Sequence, residues 1–564
     1  MGGSAHLRKL AYRREIALPI VAIVAPILAL VTAFAACPAL PIAAQSSKAP
    51  ASQGSPNSAV KRRAASDRFA ARVTAALTDP RAEKALWGIL VTDAATGESI
   101  YERNADNFFT PASNAKIFTS AFALVALGPD YRFHTTIESA APVDDDGRVH
   151  GDVVLVGRGD PDLSNRTFPF EQKNARSGPA EKMISELVDV VVAKGVKQID
   201  GDIVADDSYF AYDPYPEGWT TGDLYFGFGA PISAIAIDEN TLTITVQPGV
   251  RLDDPASLTI EPWAGYETFG HDVTTGPSAS EPKFSVVREP GSKPILLRGS
   301  IPLGGAPVKL DIAIEDPAEY AANLLKRLLE ARGVRIAGVA RTQHGPPPQR
   351  EANAATAIVS VPTRQPVSAD PPVVLAEHIS LPLIESIRLL NKISQNLHAE
   401  LILRTAAREK TGVGTTDVGI EIERNFLNSI GITDTDVFLV DGSGLSRQTL
   451  VTPRAAVRLL AYASHQPWGE SFMSTLPIAG TDGTLEDHLK GTRAAGRIHA
   501  KTGSLEHVRG MSGYATTLSG EPLIFSIFTN NNLQPPRNVG HVLDAIVLAM
   551  VEEIHAPPAP RKHK

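Results

Sequence analysis

Three short motifs stand in one order along this chain: Ser113-Asn114-Ala115-Lys116, Ser394-Gln395-Asn396 and Lys501-Thr502-Gly503. Together they supply a nucleophile beside an amine base, a second hydroxyl with an amide, and a cationic strand with room for a substrate. That is the equipment for acyl transfer through a serine ester. Each motif alone proves little. Ser-x-x-Lys recurs at Ser58–Lys61 and Ser280–Lys283, Lys-Thr-Gly at Lys410–Gly412, and Ser-x-Asn at Ser55–Asn57. Order and local context separate the working set from these copies.

Context is clearest for the first motif. Pro111 opens a helix that Gly128 closes, with Ile117, Phe118, Ala121, Phe122 and Val125 as its apolar face. Ser113 and Lys116 are i and i+3, so they share a face near the helix N-terminus, where free N–H groups favour a developing anion. The lysine serves as a base only if burial or a neighbouring cation lowers its pKa toward neutrality. A surface Ser–Lys pair on an ordinary helix is the plain alternative. The copy at 58–61 lies in a stretch read as a tether, and the copy at 280–283 contains Pro282; neither is expected to place its pair on a helix turn.

Lys410-Thr411-Gly412 reads as a helix end, with Lys in the last turn and Gly just past it. Lys501-Thr502-Gly503 lies instead in strand-like sequence, Arg497 to Ser504. There Lys501 and Gly503 point the same way, and Gly503 leaves space for another backbone to approach Lys501. Alternation turns the Thr502 hydroxyl away unless the strand twists. Ser394 and Asn396 sit at the break between helices expected at Leu381–Lys392 and Gln395–Glu409. A helix N-cap by Ser394 is the plain alternative there.

The chain has 564 residues, too many for one core, so two or more domains are expected. A net charge of −8 without a basic stripe speaks against a nucleic-acid partner. Cys37 is the single cysteine, so no internal disulfide forms. No zinc motif or phosphate loop is present, and neither metal nor cofactor is expected.

At the N-terminus, basic residues at 8, 9, 13 and 14 precede an uncharged apolar run, Ile16 to Ala36, and small residues offer cleavage after Ala35 or Ala44. This reads as an export signal. An uncleaved anchor and a lipid on Cys37, after Phe34-Ala35-Ala36, are its rivals; all three place the catalytic part outside the cytoplasm, in the periplasm or otherwise exported. The expected divisions are 1–44 signal or anchor, 45–65 flexible tether, 66–137 first catalytic part, 138–379 β-rich inserted units, 380–556 second catalytic part and 557–564 tail. Strands are expected at 87–91, 99–103, 496–503, 508–517 and 522–529, and a last helix at 539–554.

With these motifs stand Gly159-Asp160-Pro161-Asp162-Leu163, Asp206-Asp207-Ser208-Tyr209-Phe210, Gly218-Trp219 with Ala230-Pro231, Asp441-Gly442-Ser443-Gly444-Leu445-Ser446-Arg447, and Leu476 to Gly480. From about Asp67 to Ile554 the chain resembles the D-alanyl-D-alanine carboxypeptidase/endopeptidase family, the class C low-molecular-mass penicillin-binding proteins. The wide gap from Ser113 to Ser394 fits that family's two extra domains. The resemblance implies an α/β fold: a penicillin-recognising serine transpeptidase/β-lactamase-like domain interrupted by a large β-rich two-domain insertion. It implies a peptidoglycan hydrolase that removes terminal D-Ala from stem peptides, cuts D-Ala-to-diamino-acid cross-links, or does both, with β-lactam antibiotics as covalent inhibitors. A non-catalytic wall-binding scaffold and a β-lactamase are the competing readings.

By the same resemblance Ser113 is the nucleophile and Lys116 its base, and Ser394 and Lys501 move the proton to the leaving amine. Asn396 holds the substrate's amide, the N–H groups of Ser113 and Ser504 form the oxyanion hole, and Thr502 and Ser504 bind the terminal carboxylate beside Gly503. Asp223, Phe228 and Arg447 match a pocket for the diamino-acid side chain, where opposite charges suit a zwitterionic end. A solvated loop acid is the plain alternative for Asp223. Glu506 departs from the family, where Gln can stand, and would favour an ammonium over a carboxylate.

Overall fold

Period-two alternation builds the central sheet. In the Leu86–Asp93 strand, Trp87, Ile89 and Val91 enter one core while Leu90 enters another. The structure, a computed structural model, describes residues 56–554 apart from 81, 174, 266–267, 290, 349–370 and 534–535. The expectations for the leader, Cys37 and the tail from 557 lie outside these residues.

The sheet runs in the order Ile498–Leu505, Val508–Thr516, Pro522–Asn530, Leu86–Asp93, Ser99–Arg103, antiparallel throughout. On one face lies α1, Pro56–Leu77, which buries Phe69, Val73 and Leu77 at helical spacing. This corrects the tether: helix begins at Pro56, not near Ser66, so the copy at Ser58–Lys61 has helical backbone. On the other face lies α2, Lys116–Ala126, buried through Ile117, Phe118, Ala121 and Phe122. Truncating a fully buried ring such as Phe118 to alanine costs about 3–5 kcal/mol. Val125, expected on the apolar face, is 43% exposed in the helix's last turns.

The middle region opens with His134–Ser139, ahead of residue 138, and that strand belongs to a five-stranded sheet ordered Ala340–Gln343, Ile203–Asp206, Val153–Val156, His134–Ser139, Val373–Ile379. Two helices absent from the strand-rich expectation cover it, α3 (Lys182–Ala193) and α4 (Pro317–Ala331). Asp316 caps α4 by accepting from Glu319 N–H at 3.0 Å, with Pro317 in the first turn. Two three-stranded sheets, around Thr241–Gln247 and Ile295–Pro302, form a further core of Ile244, Val273, Leu297 and Ile312. The first and last strands of the region, His134–Ser139 and Val373–Ile379, pair side by side. A long insertion is tolerated where its ends meet in this way. Asp162 then fixes the return: its carboxylate accepts from Leu381 N–H at 2.8 Å and from Ser386 Oγ at 3.0 Å.

The chain continues through α5 (Leu383–Ile393), α6 (Asn396–Thr411), α7 (Thr416–Ser429), α8 (Pro453–Ser464) and α9 (Gly469–Thr475). The first two match expectation; α7 to α9 occupy a stretch for which none was stated. The last helix, α10 (Pro536–Glu553), joins α1 on its face of the sheet through Val539, Val542, Leu543, Ile546 and Met550. Among the described residues no helix is long and apolar enough to cross a membrane.

Candidate active site

Ser113 sits in a tight 3-10 turn, Ala112–Ala115, that leads directly into α2. Ala112 has φ +49, a left-handed conformation that costs a non-glycine residue energy and marks a functional turn. One turn on, Lys116 is fully buried. Its Nζ lies 3.0 Å from Ser113 Oγ, 2.6 Å from Asn396 Oδ1 and 2.7 Å from the Ser443 carbonyl. Burial pulls the amine down to about 7, with Asp441 and Glu400 pulling the other way. At neutral pH part of it is free to accept the Ser113 proton. The surface-pair alternative is thereby excluded.

Ser394 ends α5 in a left-handed conformation, φ +63. It does not cap α6; the Gln395 side chain does, accepting from Leu397 N–H at 3.0 Å. This leaves the Ser394 hydroxyl for Lys501, whose Nζ donates to it at 2.8 Å and to the Thr502 carbonyl at 2.8 Å. Lys501 is fully buried, and burial first, then the charge of Lys116, hold it well below the usual lysine range. Asn396 opens α6 and donates from Nδ2 to the Phe228 carbonyl at 2.7 Å.

Gly503 corrects one expectation. A Cβ there would lie 2.5 Å from the Pro111 carbonyl oxygen and 2.6 Å from Asn114 Nδ2. The close approach that needs glycine is therefore between the strand and the serine's own turn, not between a visiting backbone and Lys501. Thr502 follows the alternation expected of it. Its hydroxyl meets Thr484 Oγ1 at 2.6 Å, on the side away from Lys501, yet it lines the cleft, because the cleft wraps over the strand edge. This cavity, about 730 Å³, is bordered by Ser113, Ser394, Thr502, Gly503 and Ser504. A second, of about 460 Å³, is bordered by Phe228, Ser394 and Asn396.

Asp223 is no solvated acid. It is 8% exposed, and its Oδ2 accepts from Arg447 Nη1 at 2.8 Å and from Thr220 N–H and Oγ1 at 3.0 and 2.7 Å. Burial raises its pKa, but the bonds from Arg447 and Thr220 outweigh that and hold it below the usual carboxylate value. Phe228, half-exposed, stacks on Phe226 with centroids 5.7 Å apart. Asp223 and Arg447 border neither of the two cavities. Glu506 is also outside them: it projects into solvent at a hairpin turn, 3.6 Å from His507 Nε2, so the charge expected in the substrate pocket is not lining the cleft.

The sequence reading missed the support beneath Lys116. Glu400, buried on α6, accepts from Ser443 N–H at 2.8 Å and Gly442 N–H at 3.1 Å, which aims the Ser443 carbonyl at Lys116. Asp441 accepts from Gly444 N–H, Ser446 N–H and Trp219 Nε1 at 3.0, 2.7 and 3.0 Å. The available signal was spacing: Glu400 is i+4 from Asn396 and shares its face. Among the described residues no cluster of three or more His, Cys, Asp or Glu is placed to hold a metal.

A serine touching a buried, partly neutral lysine, with a second Lys–Ser pair on the same cleft, defines an enzyme that transfers acyl groups through a serine ester. The fold around it is α/β with inserted sheets. The chain belongs to the D-Ala-D-Ala carboxypeptidase 3 (S13) family, whose model matches residues 69–549, and it is a serine-type D,D-peptidase. It is similar to the D-alanyl-D-alanine carboxypeptidase of Actinomadura sp. (strain R39), 33% identical over 491 residues, covering 85% of this chain and 84% of that protein. It is similar also to D-alanyl-D-alanine carboxypeptidase DacB of Haemophilus influenzae, 27% identical over 463 residues and covering 80% of this chain and 87% of that one. In fold it resembles the crystal structure of penicillin binding protein 4 (dacB) from H. influenzae, with TM-score 0.70, 24% identity, and coverage of 85% and 98%.

Proposed function

We propose that this peptidase acts on peptidoglycan outside the cytoplasm, releasing terminal D-Ala from stem peptides and cutting D-Ala-to-diamino-acid cross-links through one ester on Ser113. The observation that carries the reading is the 3.0 Å contact between Ser113 Oγ and a buried lysine held near neutrality. The neutral Lys116 amine takes the Ser113 proton, and Oγ attacks the D-Ala carbonyl. The N–H groups of Ser113 and Ser504 receive the oxyanion; each such donor contributes about 2.7–4 kcal/mol to the transition state. The C–N bond then breaks, and Ser394 and Lys501 deliver the proton to the departing amine. The proton held by Lys116 replaces the one given up by that Ser394–Lys501 relay, which leaves the Lys116 amine neutral again. Lys116 then takes a proton from water, the resulting hydroxide attacks the ester carbonyl, and the same proton passes to Ser113 Oγ as the acyl–oxygen bond breaks.

In this reading Thr502 and Ser504 hold the carboxylate of the leaving residue, and Asn396 and Gly503 keep the acyl strand and the serine's turn in register. Asp223, Arg447 and Phe228 receive the diamino-acid side chain. β-Lactams acylate Ser113 by the same steps. Residues 1–44 serve export, and the units between about 134 and 379 interrupt the catalytic domain.

The test is mass spectrometry of a pentapeptide monomer and a cross-linked dimer after incubation with the protein, with Ser113→Ala as control. Loss of terminal alanine from the first or splitting of the second, absent in the variant, is expected. Intact substrates in both samples would overturn the reading.

A further inference from the structure

The cavity beside Ser113 is larger than release of one alanine requires. At about 730 Å³ it is in the range that encloses a drug-sized molecule. The surplus lies past Thr502 and Ser504, over the strand edge, where Arg509 stands on one side and Asp487, His488, Gly540, His541 and Asp544 on the other. Strand geometry explains the direction. Thr502 and Ser504 alternate with Lys501 and Gly503, so they face away from the serine's turn. Met511, opposite Thr502, belongs to the core beneath α10, and Arg509, opposite Ser504, shares that face.

Arg509 is an unusual wall residue. Its Nη1 donates to the carbonyls of Leu505 and Val508, both at 2.5 Å, and no carboxylate among the described residues pairs with its guanidinium. Burial alone shifts it, downward. Only Nη1 of the guanidinium is engaged by these carbonyls, and a carboxylate reaching its remaining N–H groups would form a charge-assisted bond. Across the space, the His488–Asp544 pair, joined at 2.9 Å, presents a polar wall.

We propose that the space between the 498–516 hairpin and α10 is a leaving-group subsite built for a peptide rather than a single amino acid, with Arg509 receiving one carboxylate of that peptide. This rests on the reading of Thr502 and Ser504 as the holders of the reacting residue's carboxylate. In a cross-linked substrate the departing amine belongs to a second stem peptide. That peptide runs on past Ser504, over Arg509, toward α10. A departing alanine stops at Ser504 and leaves the subsite unused.

Gly540 makes the idea testable without disturbing the core. A Cβ built there meets one atom, His488 Cε1 at 3.7 Å, an ordinary contact, and any side chain other than proline improves on glycine in a helix. Gly540→Phe therefore fills the space, and Arg509→Gln removes its charge. The full-length protein and both variants are given a pentapeptide and a cross-linked dimer with the same acyl half, and penicillin acylation reports an intact Ser113 site. We expect the ratio of dimer to pentapeptide kcat/KM to fall about tenfold or more in Arg509→Gln, the size of a lost charged hydrogen bond, and to fall also in Gly540→Phe, where the ring excludes the second peptide. If Arg509→Gln fails to fold, Gly540→Phe decides. A ratio unmoved in variants that still acylate, or a wild-type protein that releases D-Ala and leaves the dimer intact, overturns the subsite alone. A wild-type protein that cleaves neither substrate overturns the proposed function and the subsite together.

Discussion

Lys116 Nζ and Asn396 Oδ1 lie 2.6 Å apart, so the amine of the first motif and the amide of the second share one hydrogen bond across 280 residues of chain. The amide is neutral, which lets burial hold the lysine at about 7 against the pull of Asp441 and Glu400. Acylation needs the free amine, so its rate in the wild-type protein rises with pH through about 7. Asn396→Asp sets a carboxylate at the same place and favours the ammonium. The acid limb of penicillin acylation then moves toward alkaline pH by about one unit or more. Stopped-flow acylation across pH reads this directly; a limb unmoved in the variant would show that Lys116 is not the titrating base.

Gly503 and the Pro111 carbonyl set a second prediction. A methyl carbon added at Gly503 would stand 2.5 Å from that oxygen, so Gly503→Ala forces the strand and the turn of Ser113 apart. A displacement of about 1 Å at reacting atoms costs on the order of a hundredfold in rate. Acylation by penicillin is expected to drop on that scale, while far-ultraviolet circular dichroism stays that of the folded protein. Wild-type acylation would remove the close approach as an explanation for the glycine.

How far the sequence revealed this site depends on which kind of signal each residue leaves. The first sheet strand was legible because Trp87 to Val91 is a short apolar run ahead of the Thr96-Gly97 turn, and α2 because Ile117, Phe118, Ala121 and Phe122 keep helical spacing. The helices α7 and α8 leave unequal signals in the sequence. In α7 a fully buried Glu423, pushed well above the usual carboxylate range by burial, interrupts the apolar face. In α8 the signal is plain, a Thr452 cap before Pro453. The motifs named the reacting groups, but not Glu400, whose two backbone bonds act through Ser443. Nor could spacing show that Gly503 serves the serine's turn, because that contact joins residues nearly four hundred positions apart in the chain.

The Asp223–Arg447 contact, 2.8 Å, predicts a specificity effect. Arg447→Ala removes one charge and leaves Asp223 held by Thr220 alone. For a pentapeptide whose diamino acid ends in free ammonium and carboxylate, kcat/KM is expected to fall about tenfold, the scale of one charged hydrogen bond. A peptide with that end chemically capped should change little. Equal losses on both peptides would assign Arg447 to the fold rather than to substrate choice.

His344 offers a prediction on stability that is independent of catalysis. Its Nδ1 lies 2.9 Å from Asp207 Oδ1 and its Nε2 3.3 Å from Asp316 Oδ2, the residue that caps α4. The bond to Asp207, then that to Asp316, raise its pKa to about 10 against the opposing effect of burial. Unfolded, the same imidazole titrates near 6.5. Between these two values the folded state binds the extra proton, so stability falls as pH rises across this window. The contribution is whole below about 6.5 and gone above about 10. His344→Gln keeps hydrogen-bonding capacity and removes the proton. The buried lysines Lys116 and Lys501 drive stability the other way at alkaline pH, but they are common to both proteins and cancel in the difference. The melting temperature of the wild-type protein should therefore exceed that of the variant most near pH 6, with the two curves converging toward pH 10. A gap that stays constant with pH would mean that packing, not the ion pairs of His344, sets its contribution.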